Sequence, residues 1–180
     1  MMHYLDSAES LNNQIRQLRE LLEFETPGRT KIPADIIEYV PYDNRITINA
    51  GENKGIKPNL PVISGPGLLG IVSTVDKTTS QVLLITSTSV KIGGLVIGSP
   101  NVPGIVQGQS MRRLVMDITV SDEVVTGAAV MTTGYSQFIP RGIRIGTIIE
   151  SYRDEDSGVR RAIILPAATI GVSKEVVVLK

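Results

Sequence analysis

Gly65-Pro66-Gly67-Leu68-Leu69-Gly70-Ile71-Val72-Ser73-Thr74-Val75 is the stretch on which the fold turns. Its first six residues have the spacing G-x-G-x-x-G, which in a dinucleotide-binding unit comes after a strand and opens a helix whose N-terminal amides hold pyrophosphate. The next five residues are β-branched at Ile71, Val72, Thr74 and Val75, and such side chains lose rotamer freedom in a helix but suit a pleated sheet. The stretch therefore reads as a turn between two strands. Working outward, the same punctuation recurs: short runs of Val, Ile and Leu, such as Val82-Leu83-Leu84-Ile85, separated by Gly, Pro, Asn and Asp. The pattern predicts strands over residues 34–40, 45–50, 61–64, 68–75, 81–86, 92–97, 104–108, 112–119, 129–132, 143–152, 159–165 and 176–179. Short strands with no helix between them imply a sandwich or barrel, and the continuous apolar runs favour a small closed barrel over a sheet with one wet face. Asp154-Glu155-Asp156-Ser157-Gly158 reads as a charged hairpin tip.

An internal echo divides the chain. Gly51 and Gly55 lead into Pro61-Val62-Ile63 and then a run interrupted at Gly70; Gly127 leads into Val130-Met131-Thr132 and then a run interrupted at Gly146. Two related barrels account for it. Residues 31–98 form the first and 99–180 the second, with Ser99-Pro100-Asn101 as the seam; the final strand completes either one. Gly51, Gly55, Gly70, Gly134, Pro140, Gly142 and Gly146 are the positions at which turns or close backbone approach are expected. Paired six-stranded barrels are also the architecture of chymotrypsin-like proteases.

The beginning of the chain has another period. Tyr4, Ala8, Leu11, Ile15, Leu18 and Leu22 form a heptad seam, with Ala8, Ile15 and Leu22 at a and Tyr4, Leu11 and Leu18 at d. This predicts an N-terminal coiled-coil helix over residues 1–26 that pairs with a second copy, the alternative being an amphipathic helix lying on its own domain. Thr26-Pro27-Gly28 ends it.

Composition narrows the function classes. In 180 residues, 18 basic side chains balance 18 acidic ones, so no positive field gathers nucleic acid. Aromatics make up 4%, with no Trp, so Val, Ile and Leu must fill the core. There is no cysteine and one histidine, His3, which leaves no thiolate chemistry, no zinc cluster and no general base within the barrels. Asp156-Ser157-Gly158 matches an aspartic-protease triplet, but its charged neighbours suit a solvated tip better than the buried, proton-sharing cradle that chemistry needs. No catalytic residue, metal or cofactor is therefore expected. The apolar stretches are far shorter than the ~20 residues that span a bilayer, so the chain reads as soluble, or as a piece whose anchor lies upstream. Two aromatic pairs are candidate partner contacts: Tyr135 with Phe138, and Tyr39 with Tyr42. In the alternative for each, Phe138 plugs a barrel end and the second pair caps the first barrel.

In their order and spacing, several strings resemble the MreC family of rod shape-determining proteins. They are Ile46-Thr47-Ile48-Asn49-Ala50-Gly51, the run from Pro61 through Gly67-Leu68-Leu69-Gly70-Ile71-Val72, Val82-Leu83-Leu84-Ile85-Thr86, Gly104-Ile105-Val106-Gln107-Gly108, and Thr132-Thr133-Gly134 leading to Phe138-Ile139-Pro140-Arg141-Gly142-Ile143-Arg144-Ile145-Gly146. Ala128 departs from the Asp frequent in the family after Gly127, and Asn44 and Arg45 stand near a common Trp. The resemblance implies an extracytoplasmic scaffold of the cell-elongation machinery, tethered to the inner or cell membrane by a helix upstream. It further implies homodimers or filaments, and contacts with MreD, RodA and a class B penicillin-binding protein that organise peptidoglycan synthesis. Two rival readings remain: a degenerate hydrolase using Ser64, Ser73 or Ser136, and a peptide- or glycan-binding double barrel.

Overall fold

The computed structural model describes residues 29–65, 67–98, 100–109, 112–118, 124–136, 138–168 and 174–180; the heptad seam from Tyr4 to Leu22 lies outside them. Twelve strands make up the described chain: β1 (Lys31–Val40), β2 (Arg45–Ile48), β3 (Pro61–Ser64), β4 (Gly67–Val75), β5 (Ser80–Leu84), β6 (Lys91–Val96), β7 (Val102–Gln109), β8 (Arg113–Ile118), β9 (Ala129–Thr132), β10 (Arg144–Arg153), β11 (Arg160–Pro166) and β12 (Glu175–Leu179). Single turns of 3-10 helix, Pro41–Asp43 and Glu52–Lys54, connect the early strands. No helix among the described residues is long and apolar enough to cross a membrane.

The strands close into two antiparallel barrels, in the orders β1-β12-β3-β4-β5-β2 and β10-β11-β8-β7-β6-β9. Closure pairs every strand on both sides and removes the open edges through which sheets aggregate. The seam expected at residue 99 is displaced. Strand β6 pairs with β7 and β9 in the second barrel, so the chain crosses between barrels over residues 85–90. Ile97, Gly98, Pro100 and Asn101 instead lie between the paired Val96 and Val102 of β6 and β7, with Gly98 N–H donating to Asn101 Oδ1 at 2.9 Å. A hairpin and a linker draw on the same turn residues, so composition alone does not separate them. Strand β12 pairs with β1 and β3 and completes the first barrel.

The continuous apolar runs have a specific cause. In β5, Val82 and Leu84 point into the first barrel, where they join Ile46, Ile48, Val62, Leu69, Val72 and Val178. The residue between them, Leu83, points the other way and packs against the cluster that fills the second barrel. Ile63, Ile71 and Val177 do the same from β3, β4 and β12, and buried Leu68, Ile85 and Leu179 belong to that cluster outright. These strands of the first barrel are covered on both faces, one by their own interior and one by the neighbouring barrel. Strands facing water keep the alternation, as β8 does with Leu114, Met116 and Ile118 buried between exposed Arg113 and Asp117.

The repeated glycines occupy corresponding places. Gly70 on β4 and Gly146 on β10 each face the next strand so closely that a Cβ would strike a carbonyl oxygen, Leu83 O and Leu165 O respectively. The echo in the sequence thus marks the same tight contact in each barrel.

Candidate functional site

A groove of about 670 Å³ runs along the junction of the barrels, with Asn59 and Ile71 on one bank and Lys91, Ile105, Tyr135 and Phe138 on the other. Register explains the second bank. Gly93 lies opposite Ile105 and Leu95 opposite Pro103, so Pro103 and Ile105 stand outside the barrel while Val102 and Val106 fill it. Gly93 keeps the floor flat, since a Cβ there would sit 2.6 Å from Thr133 Oγ1. Ile105 is 48% exposed, and Tyr135 is 93% exposed.

The β9–β10 connection holds the aromatic rim. Thr132 Oγ1 donates to Pro140 O at 2.7 Å and accepts from Ile143 N–H at 3.0 Å, both buried, which ties the two ends of the connection together. Gly134 turns the chain at φ +78, and its Cα is pressed so close to Arg141 that a Cβ would lie 2.7 Å from that residue's Cβ. Tyr135 is thereby presented outward. Phe138 is partly buried and packs on the second core while also lining the groove. Arg29 Nη1 donates to Phe138 O at 2.8 Å, so the chain enters the described fold beside this rim. No carboxylate lines the groove, and Lys91 is its one charged lining residue among the described residues.

Tyr39 and Tyr42 fall elsewhere. Tyr39 borders a smaller pocket across the junction, lined also by Asn44, Arg112 and Leu165, and Tyr42 is 86% exposed on the 3-10 turn after β1. The remaining turn residues are spread through both barrels. Gly55 and Gly142 have positive φ, Gly51 abuts Asp76 O, and Pro140 is buried beneath Thr132.

The strings that suggested chemistry take plain structural places. Residues on either side of Pro66 form the tight β3–β4 turn, with Ser64 paired to Gly67. Asp156 sits in the tip between β10 and β11, its N–H donating to Asp154 Oδ1 at 3.0 Å. Asp154 and Asp117 both reach Arg161, at 3.0 and 3.1 Å; Asp117 first and Asp154 second hold that guanidinium above its ordinary pKa, against an opposing effect of burial. Ser64 is buried, Ser73 Oγ donates to Gln81 O at 3.1 Å, and Ser136 Oγ accepts from Phe138 N–H at 3.3 Å. No cluster of three or more acidic or His side chains that could hold a metal occurs among the described residues. Ile105, Lys91 and Gly93 were not singled out by sequence; the signal was present only in the outward phase of Pro103 and Ile105 along their strand.

Residues 37–180 match the family model described as rod shape-determining protein MreC, barrel core. The cell shape-determining protein MreC of Listeria monocytogenes is 29% identical over 179 residues, covering 94% of this chain and 61% of that protein. The chain thus spans about three-fifths of this relative's length. The solved structure of MreC from Listeria monocytogenes superposes with a TM-score of 0.81 at 24% identity, covering 100% of this chain and 92% of that one. An MreC chain in a complex with penicillin-binding protein PBP2 from Helicobacter pylori superposes with a TM-score of 0.68 at 18% identity, covering 83% and 97%. With the family's barrel core matched across both barrels, this chain belongs to the MreC family of rod shape-determining proteins.

Proposed function

We propose that this chain is the extracytoplasmic part of a non-catalytic scaffold for cell elongation, and that it docks a class B penicillin-binding protein in the groove between its barrels. The observation that carries this reading is the groove itself: an apolar floor, an exposed Ile105, and a Tyr135 held outward by a pinned loop. Buried aromatic anchors contribute disproportionately to binding, and a pre-formed loop loses little conformational entropy on docking. The Helicobacter pylori complex, in which a fold of this kind binds PBP2, supports a partner of that class. The heptad seam from Tyr4 to Leu22 supplies a homodimeric stalk, which comes after a membrane anchor and puts the barrels outside the membrane. RodA and MreD complete the assembly as further partners in organising peptidoglycan synthesis.

The experiment is capture from detergent-solubilised membranes of a rod-shaped bacterium treated with a fluorescent penicillin. The immobilised chain retains a labelled penicillin-binding protein, and Tyr135→Ala with Ile105→Asp loses it while circular dichroism stays unchanged. Equal retention by the double variant moves the docking surface elsewhere. A fluorophosphonate probe leaves Ser64, Ser73 and Ser136 unlabelled; stoichiometric labelling of any of them would revive the hydrolase reading.

A further inference from the structure

The smaller pocket lies across the junction from the groove and is built differently. It has a volume of about 220 Å³, below the roughly 300–1,000 Å³ of sites for drug-sized ligands, so it has room for one side chain. Its floor is apolar and closed: Leu69, Leu84, Ile85 and Ala168 line it, at 3%, 3%, 4% and 7% exposure. Its mouth carries hydrogen-bond donors. Tyr39 and Arg112 stand there with Asn44, whose Oδ1 already accepts from Thr86 Oγ1 at 2.8 Å, leaving the amide N–H end to donate. No acidic residue lines the pocket among the described residues.

Arg112 is the unusual member. It lies in the β7–β8 hairpin, whose strands end with Gln109 paired to Arg113, and its φ is +62. A left-handed residue near the end of a short hairpin loop is commonly glycine, because a Cβ is disfavoured there. Among the described residues the exposed Arg112 guanidinium makes no hydrogen bond or ion pair. A strained backbone thus carries an unneutralised charge at the mouth of an apolar cavity, an arrangement associated with ligand clamps.

We propose that this pocket is a second docking site, which takes one apolar side chain from an extended segment of a partner protein while the acidic residue next to that side chain pairs with Arg112. The volume restricts the anchor to a single side chain. A protein segment adds contacts along its length to those of the single seated side chain, and the Arg112 charge beside the mouth favours a segment that also carries an acidic group. Leu165, 52% exposed, lines the pocket beside Tyr39 and offers apolar surface at its edge. Both barrels are closed, so the segment gains no strand pairing and is held by its side chains. The pocket takes Arg112 of the β7–β8 hairpin and Leu165 and Pro166 of β11, while the groove takes residues of β6, β7 and β9, so no residue lines both sites.

The test is an amide NMR titration of the whole chain with the blocked peptide acetyl-Gly-Ser-Phe-Glu-Ser-Gly-amide. Two control peptides replace Phe-Glu with Phe-Gln or with Ala-Glu. Saturable shifts are expected at Leu69, Leu84, Ile85 and Ala168. They weaken roughly fivefold with Phe-Gln, the scale of an exposed ion pair, and vanish with Ala-Glu. Arg112→Gly removes the charge and relieves the backbone: it binds Phe-Glu only as well as wild type binds Phe-Gln, and its unfolding midpoint is at or above wild type. Ala168→Leu fills the cavity and abolishes the shifts; if that variant does not fold, the Arg112→Gly comparison stands alone. Equal affinity for Phe-Glu and Phe-Gln, or shifts confined to Ile105 and Tyr135, overturns the proposal without touching the groove's role.

Discussion

At the scale of single residues, the tightest constraints sit at glycines that lack room and not only at those with unusual torsions. Gly146 has its Cβ position occupied by Leu165 O and within 2.7 Å of Ile164 Cγ2, so Gly146→Ala forces β10 away from β11. Overpacking of this kind costs about 1–3 kcal/mol. In urea denaturation the variant's midpoint falls while Gly98→Ala, whose nearest neighbour would be Pro100 O at 3.5 Å, changes stability by less than about 0.5 kcal/mol. A Gly146→Ala midpoint equal to wild type would show that the strands part without cost. These glycines were legible, because each interrupts a β-branched run at the same place in a repeated pattern. Ile105 and Arg112 were not. An isoleucine that points out of a barrel is the same letter as one that points in, and an arginine in a turn carries no mark of its backbone torsion.

At the scale of elements, all twelve strands were legible to within three residues at each end, since turn residues and β-branched runs arise from local sterics. The expected strand at 34–40, for example, begins three residues earlier at Lys31, where Pro33 still takes its place opposite Val177. Partnership was less legible than existence. Strand β12 is separated from its neighbours β1 and β3 by most of the chain, and nothing local chooses between two barrels for it. The N-terminal element supports its own prediction. Replacing Leu11, Ile15 and Leu18 with Ser lowers the mass seen in sedimentation equilibrium while the β signal in circular dichroism persists; an unchanged mass would remove the stalk as the source of pairing. Under the proposed stalk, about three heptads would make the association concentration-dependent.

At the scale of the whole molecule, the barrels share apolar surface and should behave as one cooperative unit. Leu68 belongs to β4 of the first barrel yet is fully buried in the cluster that fills the second. Leu68→Ala costs about 2–5 kcal/mol, the range for emptying a buried leucine site. Hydrogen exchange should then accelerate both in β2 and β5 and in β8 and β11. Acceleration in β2 and β5 alone would mean that the barrels unfold separately. The shared surface also fixes the mutual placement of Ile71 and Ile105, and hence the shape of the groove. Arg161, with its two carboxylate partners, adds no pH switch: a raised arginine pKa contributes below the unfolded value and is lost only as pH climbs through the folded one, far above neutrality.

The sequence by itself determined the class of structure, the number and order of strands, the two-barrel repeat, the scarcity of groups able to carry out catalysis and the resemblance to a family. Each of these depends on local steric preference, spacing or composition, which a linear string retains. Only the tertiary structure decided where the chain crosses between barrels, which barrel the last strand closes, and which apolar side chains face the neighbouring barrel or solvent. It also decided that Tyr135 and Phe138 border one cavity while Tyr39 borders another. Those outcomes depend on pairing between strands distant along the chain and on the contact of two convex surfaces, and neither leaves a periodic trace in the strands that take part.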